Sequence, residues 1–524
     1  MTAFRRGGSI LPGVGTHSTA PASLAEVSLS QAEAPLVLAL DLGTSSARAV
    51  VFDARGRALA GSEARQSVAM HALPDGSVES GADALLDDLF TAVDACLAQS
   101  GPALAHIAGV AMSVLASTFM GVDAAGRPLT PLITYADTRP TPDVPVLCAR
   151  IDEAAVYQRT GCRLHPSYWP VRFLWLARTA PQLLRSAAQW LSIGDYLALR
   201  LFGTAATSYS VASWTGLLNR FRLAWDAELL QALPIAPEQL PSLVDRDLPQ
   251  RGLRPEFAAR WPALNALPWY PAVGDGVCAN LGSGCAGPGR VALTVCTSSA
   301  VRAVLPGAPE AVPPGLWCYR VDRQRSLLGG ALSEGGNVFA WLQQTLAPGA
   351  ANGLEADVRQ AAPDGHGLTF LPLLAGERSP GWLGQARGAL IGLSLATSPA
   401  DLLQAGLEGV AYRLALVYSL LRPSLPAEPE IVASGGAVLH SPAWLKILAD
   451  ALGRPLTVSA VPEASARGAA LLALEALSGP TSPATRPDFL GETYLPDPAH
   501  HLIYQAARQR QQALYRHLYL EDKP

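Results

Sequence analysis

A chain of 524 residues with a formal net charge of −4 and 16% charged residues has no basic surplus with which to hold nucleic acid or an anionic membrane. Its length and 49% hydrophobic content suffice for more than one sizeable core, and no apolar run approaches the ~18 residues of a membrane span. Seven scattered cysteines, with no C-x-x-C pair, argue against a zinc site or a disulfide framework and fit a reducing cytoplasm.

Residues 1–34 are rich in Gly, Pro, Ser, Thr and Ala. They read as a disordered extension, since Arg5 and Arg6 are not followed by the apolar run of a signal peptide. The stretch from Leu36 to Phe52 then reads as strand, tight polar turn, strand. Asp41 ends the first strand, Gly43 frees the turn backbone, and Thr44, Ser45 and Ser46 add hydroxyls. Such a turn offers N–H and hydroxyl donors to an anion, with a carboxylate close by for hydrated Mg²⁺. A single copy is more often an ordinary Gly-Thr-Ser hairpin.

Arg57 to Gln66 reads as a third strand. Ser80 is placed to cap a helix, with Asp83 three residues on and Leu85, Leu86, Leu89, Phe90, Val93 and Leu97 at helical spacing. The strand Ile107 to Met112 follows. Trp169, Trp175, Trp190 and Trp214 read as core. Near the end, Leu502, Ile503, Ala506, Ala507, Leu514 and Leu518 mark an amphipathic helix that docks on the body of the protein.

Between these, Val291 to Val304 repeats the first hairpin. Thr-Ser-Ser-Ala stands at 44–47 and again at 297–300, about half a chain apart. A repeat at that distance implies two related domains with their phosphate hairpins facing across a cleft. Asp41 corresponds to Thr294 in the second copy, so only the first hairpin brings a carboxylate. Lys446 and Lys523 are the only lysines. With no Gly-Lys P-loop, nucleotide phosphates must be held by backbone N–H groups and Mg²⁺.

From about residue 36 to 475 the sequence resembles the FGGY carbohydrate kinases. The resemblance rests on six segments in order: Gly121–Leu129, Tyr135-Ala136-Asp137-Thr138-Arg139, Gly274–Gly282, Gly376-Glu377-Arg378-Ser379-Pro380, Ala433–Ala437 with Trp444–Asp450, and Arg467-Gly468-Ala469-Ala470. Val156–Pro166, Ser192–Tyr196, Tyr209–Leu217, Trp317–Tyr319 and Leu328–Ala331 resemble the gluconokinase-like subgroup. The resemblance implies an α/β protein of two RNase H-like domains, of the actin-like ATPase superfamily, flanking an ATP and substrate cleft. The expected division is residues 35–270 for sugar, phosphate and metal, 271–480 for ATP, and 481–524 for a tail with a docked helix. It implies a cytoplasmic phosphotransferase that uses ATP and Mg²⁺ on a small sugar or sugar acid, most simply D-gluconate, and it is compatible with a homodimer.

Kinase chemistry needs a base beside an alcohol, an in-line phosphoryl group, and charge neutralisation. Asp275, between Gly274 and Gly276 after an apolar stretch, has the context of that base, although an Asp in a Gly-rich turn needs no such role. On the resemblance, Asp41 holds the metal with Asp275. Gly43, Thr44, Ser45, Thr297 and Ser298 hold phosphates, and Gly435 and Gly436 let the backbone approach the adenosine. Ser117, Tyr135, His165 and Asp275 face the substrate, His165 with a structural role as its alternative. Arg139, Arg163 and Arg378 either meet a sugar-acid carboxylate or form salt bridges.

Two departures from the family pattern stand out. The second hairpin carries Cys296 and Ser299 where glycines are usual. Ala116 and Ser117 take the places of an expected Met-His. Three readings follow: a sugar-acid kinase, a ketose or polyol kinase such as a xylulokinase, and a catalytically weak actin-like sensor of sugar or nucleotide.

Overall fold

A computed structural model of the chain describes residues 25–346, 351–478 and 489–521. Two mixed sheets of the same plan form its body. In the first, β1 (Leu36–Leu42) runs antiparallel to β2 (Ser46–Phe52) and parallel to β3 (Ile107–Val114), beyond which lies the short parallel β4 (Val273–Gly274). The helix α1 (Ala82–Ser100) covers one face and α2 (Asp275–Gly282) follows β4. In the second sheet β5 (Arg290–Val295) pairs antiparallel with β6 (Ser299–Pro306), and β7 (Trp317–Arg320) and β8 (Arg325–Leu332) extend that side. After α3 (Pro399–Leu421), β9 (Glu430–Ser434) lies parallel to β5, with β10 (Leu456–Ser459) parallel to it and β11 (Leu490–Tyr494) at the edge. The expected pair of RNase H-like halves is present.

The unbroken apolar run of β1 has a physical reason. Every residue of the strand is buried. Leu36, Leu38, Leu40 and Leu42 join the core of α1, while Val37 and Ala39 face α4 (Ala464–Ser478), a helix of the second half. A strand buried on both faces cannot alternate with polar residues. The helix α4 thus ties the halves together. It crosses α2 with backbone against backbone: a Cβ on Gly282 would lie 1.8 Å from the Ala464 carbonyl oxygen, and one on Gly468 would lie 1.9 Å from that of Cys278. Arg467, the helix-start arginine of the resemblance, is a clamp here. Its Nε donates to the Gly56 carbonyl at 2.9 Å and its Nη1 to that of Gly282.

Several expectations need correction. Of the extension expected to be disordered, residues 1–24 lie outside the described residues, but Glu26–Val27 is a strand paired with Ala58–Leu59. The boundary at residue 270 falls short of β4, which belongs to the first sheet. The third strand is two short pieces, Ala58–Leu59 and Ala64–Ser67, parted by a turn with Gly61 at φ +76°. Ser80 does not cap α1. It ends a strand, its hydroxyl donates to the Ala69 carbonyl at 2.7 Å, and Gly81 takes the cap position.

The last helix, α5 (Pro498–Tyr519), docks as expected, with Ala507, Leu514 and Leu518 of the expected stripe against the body. Leu502 and Ile503 are exposed, while Tyr504, Ala507, Gln511 and Tyr515 are buried. The docked face is bonded as well as apolar. Tyr504 donates to the buried Glu408 at 3.0 Å, and Gln511 donates to the carbonyls of Phe370 at 2.7 Å and Gly409 at 3.0 Å. Glu408 also accepts from Gln404 and Tyr412, and its carboxylate lies 3.0 Å from His366 Nε2. Its oxygens are thereby used, so this group of Asp364, His366 and Glu408 is a structural node rather than a metal site. No helix among the described residues is long and apolar enough to cross a membrane.

The α2–α4 crossing tolerates no side chain. Gly468→Ala is expected to destabilise the protein by roughly 1–3 kcal/mol, seen as a lower urea midpoint. An unchanged midpoint would show that the helices separate freely.

Candidate active site

A cavity of about 220 Å³ opens between the halves, with Asp275, Ser117, Tyr135, Trp214, Arg302 and Arg378 in its wall. Asp275 is the first residue of α2. Its carboxylate accepts the Gly276 N–H at 2.8 Å. Burial pushes its carboxyl up, and the hydrogen bonds and Arg302 offset this in part. The flanking glycines are required by crowding: a Cβ on Gly274 would lie 2.8 Å from the Trp214 indole nitrogen, and one on Gly276 would lie 2.9 Å from Arg302 Nη1.

Asp41 lies near the end of β1, registered between Arg48 and Ser113. Burial pushes its carboxyl up to about 6, with Asp275 adding in the same direction against Ser113 and Arg48. Arg48 stands 3.7 Å from Oδ2 and is also bound to Glu463. The other oxygen, Oδ1, is buried with no hydrogen-bond partner among the described residues. An orphaned carboxylate oxygen beside a second acid is a donor set that fits a hydrated Mg²⁺. Such an ion would supply charge neutralisation on the phosphates.

The two hairpins differ in their turns. Leu42 faces Ala47 across the first and Val295 faces Ser299 across the second, so the second is one residue tighter. The Thr-Ser-Ser-Ala identity therefore keeps register on the entering strands and slips by one on the leaving strands. Thr44, Ser45 and Thr297 are exposed at the tips, Gly43 donates to the Ser46 carbonyl at 3.0 Å, and Ser298 lines the cavity. Ser299 spends its hydroxyl on the Glu334 carbonyl at 2.6 Å, and Cys296 is exposed at the cavity wall. Gly435, at φ +103°, passes so close behind this turn that a Cβ would lie 2.4 Å from the Val295 carbonyl oxygen. Gly436 borders open space. That combination leaves a bare backbone ledge beside the second hairpin, which suits a nucleoside. Where Asp41 stands in the first copy, Thr294 accepts from Arg302 at 3.0 Å and contacts Ser434 at 3.1 Å.

Three substrate segments meet on one buried cation that sequence reasoning missed. Arg172 donates through Nη1 to the Ser117 carbonyl at 2.9 Å, through Nη2 to Thr134 at 2.6 Å, and through Nε to Pro166 at 3.0 Å. It holds Ser117 at φ +55°, a left-handed conformation uncommon for serine, while the Ser117 hydroxyl donates to the Trp214 carbonyl at 2.8 Å. His165 does not line the cavity. Its Nδ1 accepts from the Ser167 N–H at 3.2 Å, its ring stands edge-on to Trp382 at 5.3 Å, and burial pushes its imidazole down to about 3. It is a neutral prop behind Ser167 and Trp382, both in the wall.

Trp169 and Trp190 are core, as expected, but Trp214 is part of the cavity wall, stacked on Tyr319 at 3.8 Å. Its position just before Gly216 in a polar stretch was the available signal. Arg139 pairs with Asp137 and Glu79, and Arg163 with Glu153, so neither is free for a ligand. Arg378 is different: it lines the cavity at 5.5 Å from the Tyr135 ring and donates to the Leu332 carbonyl at 2.8 Å. Arg302, unremarked in the sequence, donates to the Gly276 carbonyl at 3.1 Å and leaves its Nε without a partner among the described residues.

Comparison with known proteins agrees with this geometry. Residues 36–282 match the N-terminal domain and residues 294–477 the C-terminal domain of the FGGY family of carbohydrate kinases. A gluconokinase of Bacillus subtilis is 28% identical over 474 residues, 87% of this chain and 91% of its own. A xylulose kinase of Streptomyces rubiginosus is 31% identical over 462 residues, 86% and 90% of the two chains. The crystal structure of a gluconate kinase from Lactobacillus acidophilus superposes with a TM-score of 0.84 at 26% identity, covering 93% of this chain and 98% of that one. A cleft with its two acids, its paired hairpins and both domains matched is that of an ATP-dependent sugar kinase, and the chain belongs to the FGGY family of carbohydrate kinases.

Proposed function

We propose that the sugar is an acid, D-gluconate, phosphorylated on its terminal hydroxyl to 6-phosphogluconate. The observation that carries this reading is the pair Arg302 and Arg378, two cavity arginines with no ion-pair partner among the described residues. Asp275 acts on Arg302 and Glu334 on Arg378 only from beyond ion-pair contact, which leaves both guanidinium groups open to an anionic ligand. A charge-assisted contact to a carboxylate is worth roughly 1.5–3 kcal/mol, or about ten- to a hundredfold in preference over a neutral polyol. The relatives named for gluconate support the same substrate.

In this mechanism Asp275 accepts the proton of the terminal hydroxyl as that oxygen attacks the γ-phosphorus. Asp41 and Asp275 carry the metal, the hairpins at 43–45 and 297–298 hold the phosphates from two sides, and Gly435 and Gly436 receive the adenosine. Closure of the cleft brings the hairpins together and keeps out water that would hydrolyse ATP. The free thiols of all seven cysteines support work in a reducing cytoplasm. A ketose such as xylulose is the second reading. The aromatic wall of Tyr135, Trp214 and Tyr319 suits the C–H faces of a neutral sugar.

Asp275→Asn is expected to lower kcat by about 10²–10⁴-fold with gluconate binding nearly intact. A variant retaining a tenth of wild-type kcat would remove Asp275 from the base role. Measured side by side, kcat/KM for gluconate should exceed those for xylulose, ribulose and glycerol. Arg378→Gln should raise the gluconate KM about tenfold and spare that of xylulose. A neutral substrate preferred tenfold over gluconate would end the sugar-acid reading.

A pH effect follows from Glu334. Burial pushes its carboxyl up to about 7, opposed by the N–H of Ala375 and by Arg378 and Arg413. Below that pH Glu334 is neutral and Arg378 is left to the substrate. Above it the glutamate ionises and competes for the same guanidinium. The gluconate KM should therefore rise as pH passes upward through about 7, while the xylulose KM stays flat. Parallel profiles for the two substrates would refute the competition.

A further inference from the structure

The loop Gly376–Gly384 puts Arg378 and Trp382 into the cavity wall, yet part of its anchor, Tyr515, lies outside the two matched domains. Glu377, 2% exposed, points away from the cavity. One of its oxygens is bound by Arg413 of α3 and the other accepts the Tyr515 hydroxyl of α5 at 2.6 Å. The Arg413 guanidinium also lies over the Tyr515 ring at 4.9 Å. The loop has no slack around this triad. A Cβ on Gly381 would lie 2.0 Å from the Tyr515 oxygen and 2.2 Å from Glu377 Oε2, and one on Gly376 would lie 2.2 Å from the Gly384 carbonyl oxygen. Trp382 itself sits at φ +59°, a conformation a bulky residue keeps only when its surroundings enforce it. Its N–H donates to the Arg378 carbonyl at 2.6 Å, so the two wall residues move as one.

We propose that Tyr515 is a positioning residue for the sugar site: through Glu377 it fixes the loop that aims Arg378 and Trp382 at the substrate. The C-terminal helix is then part of the specificity apparatus as well as a covering for the core. The role of Arg378 toward an anion rests on the gluconate reading; the placement of the loop does not. A tyrosine hydroxyl bonded to a buried carboxylate is suited to such a task. It neutralises the second oxygen without adding a charge, and its ring packs against the cation that holds the first.

The same helix supplies the control. Tyr504 makes the equivalent bond to a buried carboxylate, Glu408, and does not line the cavity. Tyr515→Phe and Tyr504→Phe each remove one hydroxyl, and both should lower the thermal midpoint. Only Tyr515→Phe should raise the gluconate KM, by about five- to tenfold, with the ATP KM within twofold of wild type. Equal gluconate KM values in the two variants would overturn the proposal, as would a Tyr515→Phe effect confined to the ATP KM. If the wild type prefers a neutral ketose, the sugar-acid reading falls by that result alone. The KM of Tyr515→Phe for that ketose then decides the positioning role, a value equal to that of Tyr504→Phe again overturning it.

Discussion

The crossing of α2 over α4 is the contact on which the cleft depends. Two glycines bring the helix backbones together at Gly282 and Gly468, and no other residue type allows that approach. The consequence reaches the chemistry directly, because Asp275 begins α2 and the cavity residue Ser465 lies at the start of α4. Whatever changes the crossing moves the base relative to the hairpins. Arg467 clamps the same place by carbonyl bonds to Gly56 and Gly282, and the halves also meet farther along the seam, at Tyr168 with Tyr319 and at Arg246 with Glu475.

Around that junction stand charges that are incompletely answered. Asp41 keeps a bare oxygen and Arg302 a bare Nε among the described residues. Arg172 spends its guanidinium on three carbonyls and no acid. Buried charges without partners weaken a folded protein, and their concentration at one place fits a site whose electrostatics are completed by ligands. Glu408, away from the cavity, shows the opposite habit, with both carboxylate oxygens bonded.

Much of this was legible in the sequence because it is local. The hairpins and the glycine-rich turns at Asp275 and Gly435 show as short runs in the sequence, although the groups that demand glycine at 274, 276 and 435 are the distant Trp214, Arg302 and Val295. What escaped depends on distant partners. Arg172 sits in an apolar helix, and only the fold brings Ser117, Thr134 and Pro166 to it. Trp214 looks like any core tryptophan until Tyr319 arrives beside it from the other half. The last helix was read by its aliphatic residues, but its docked face also carries tyrosines that meet buried acids and a glutamine that meets two backbone carbonyls. Hydrophobic spacing finds greasy faces and misses bonded ones.

The inequality of the two hairpins gives the cleft a polarity. One copy offers Asp41, an acid with an open oxygen; the other offers Thr294, a hydroxyl already engaged by Arg302 and Ser434. The tighter second turn and the bare ledge at Gly435 add to that difference. With an open acid oxygen on one wall and Arg302 on the other, a nucleotide would meet two chemically unlike ends in this cleft. The duplicated scaffold supplies the symmetry of the frame, and a few diverged side chains and one shortened turn withdraw it at the cleft.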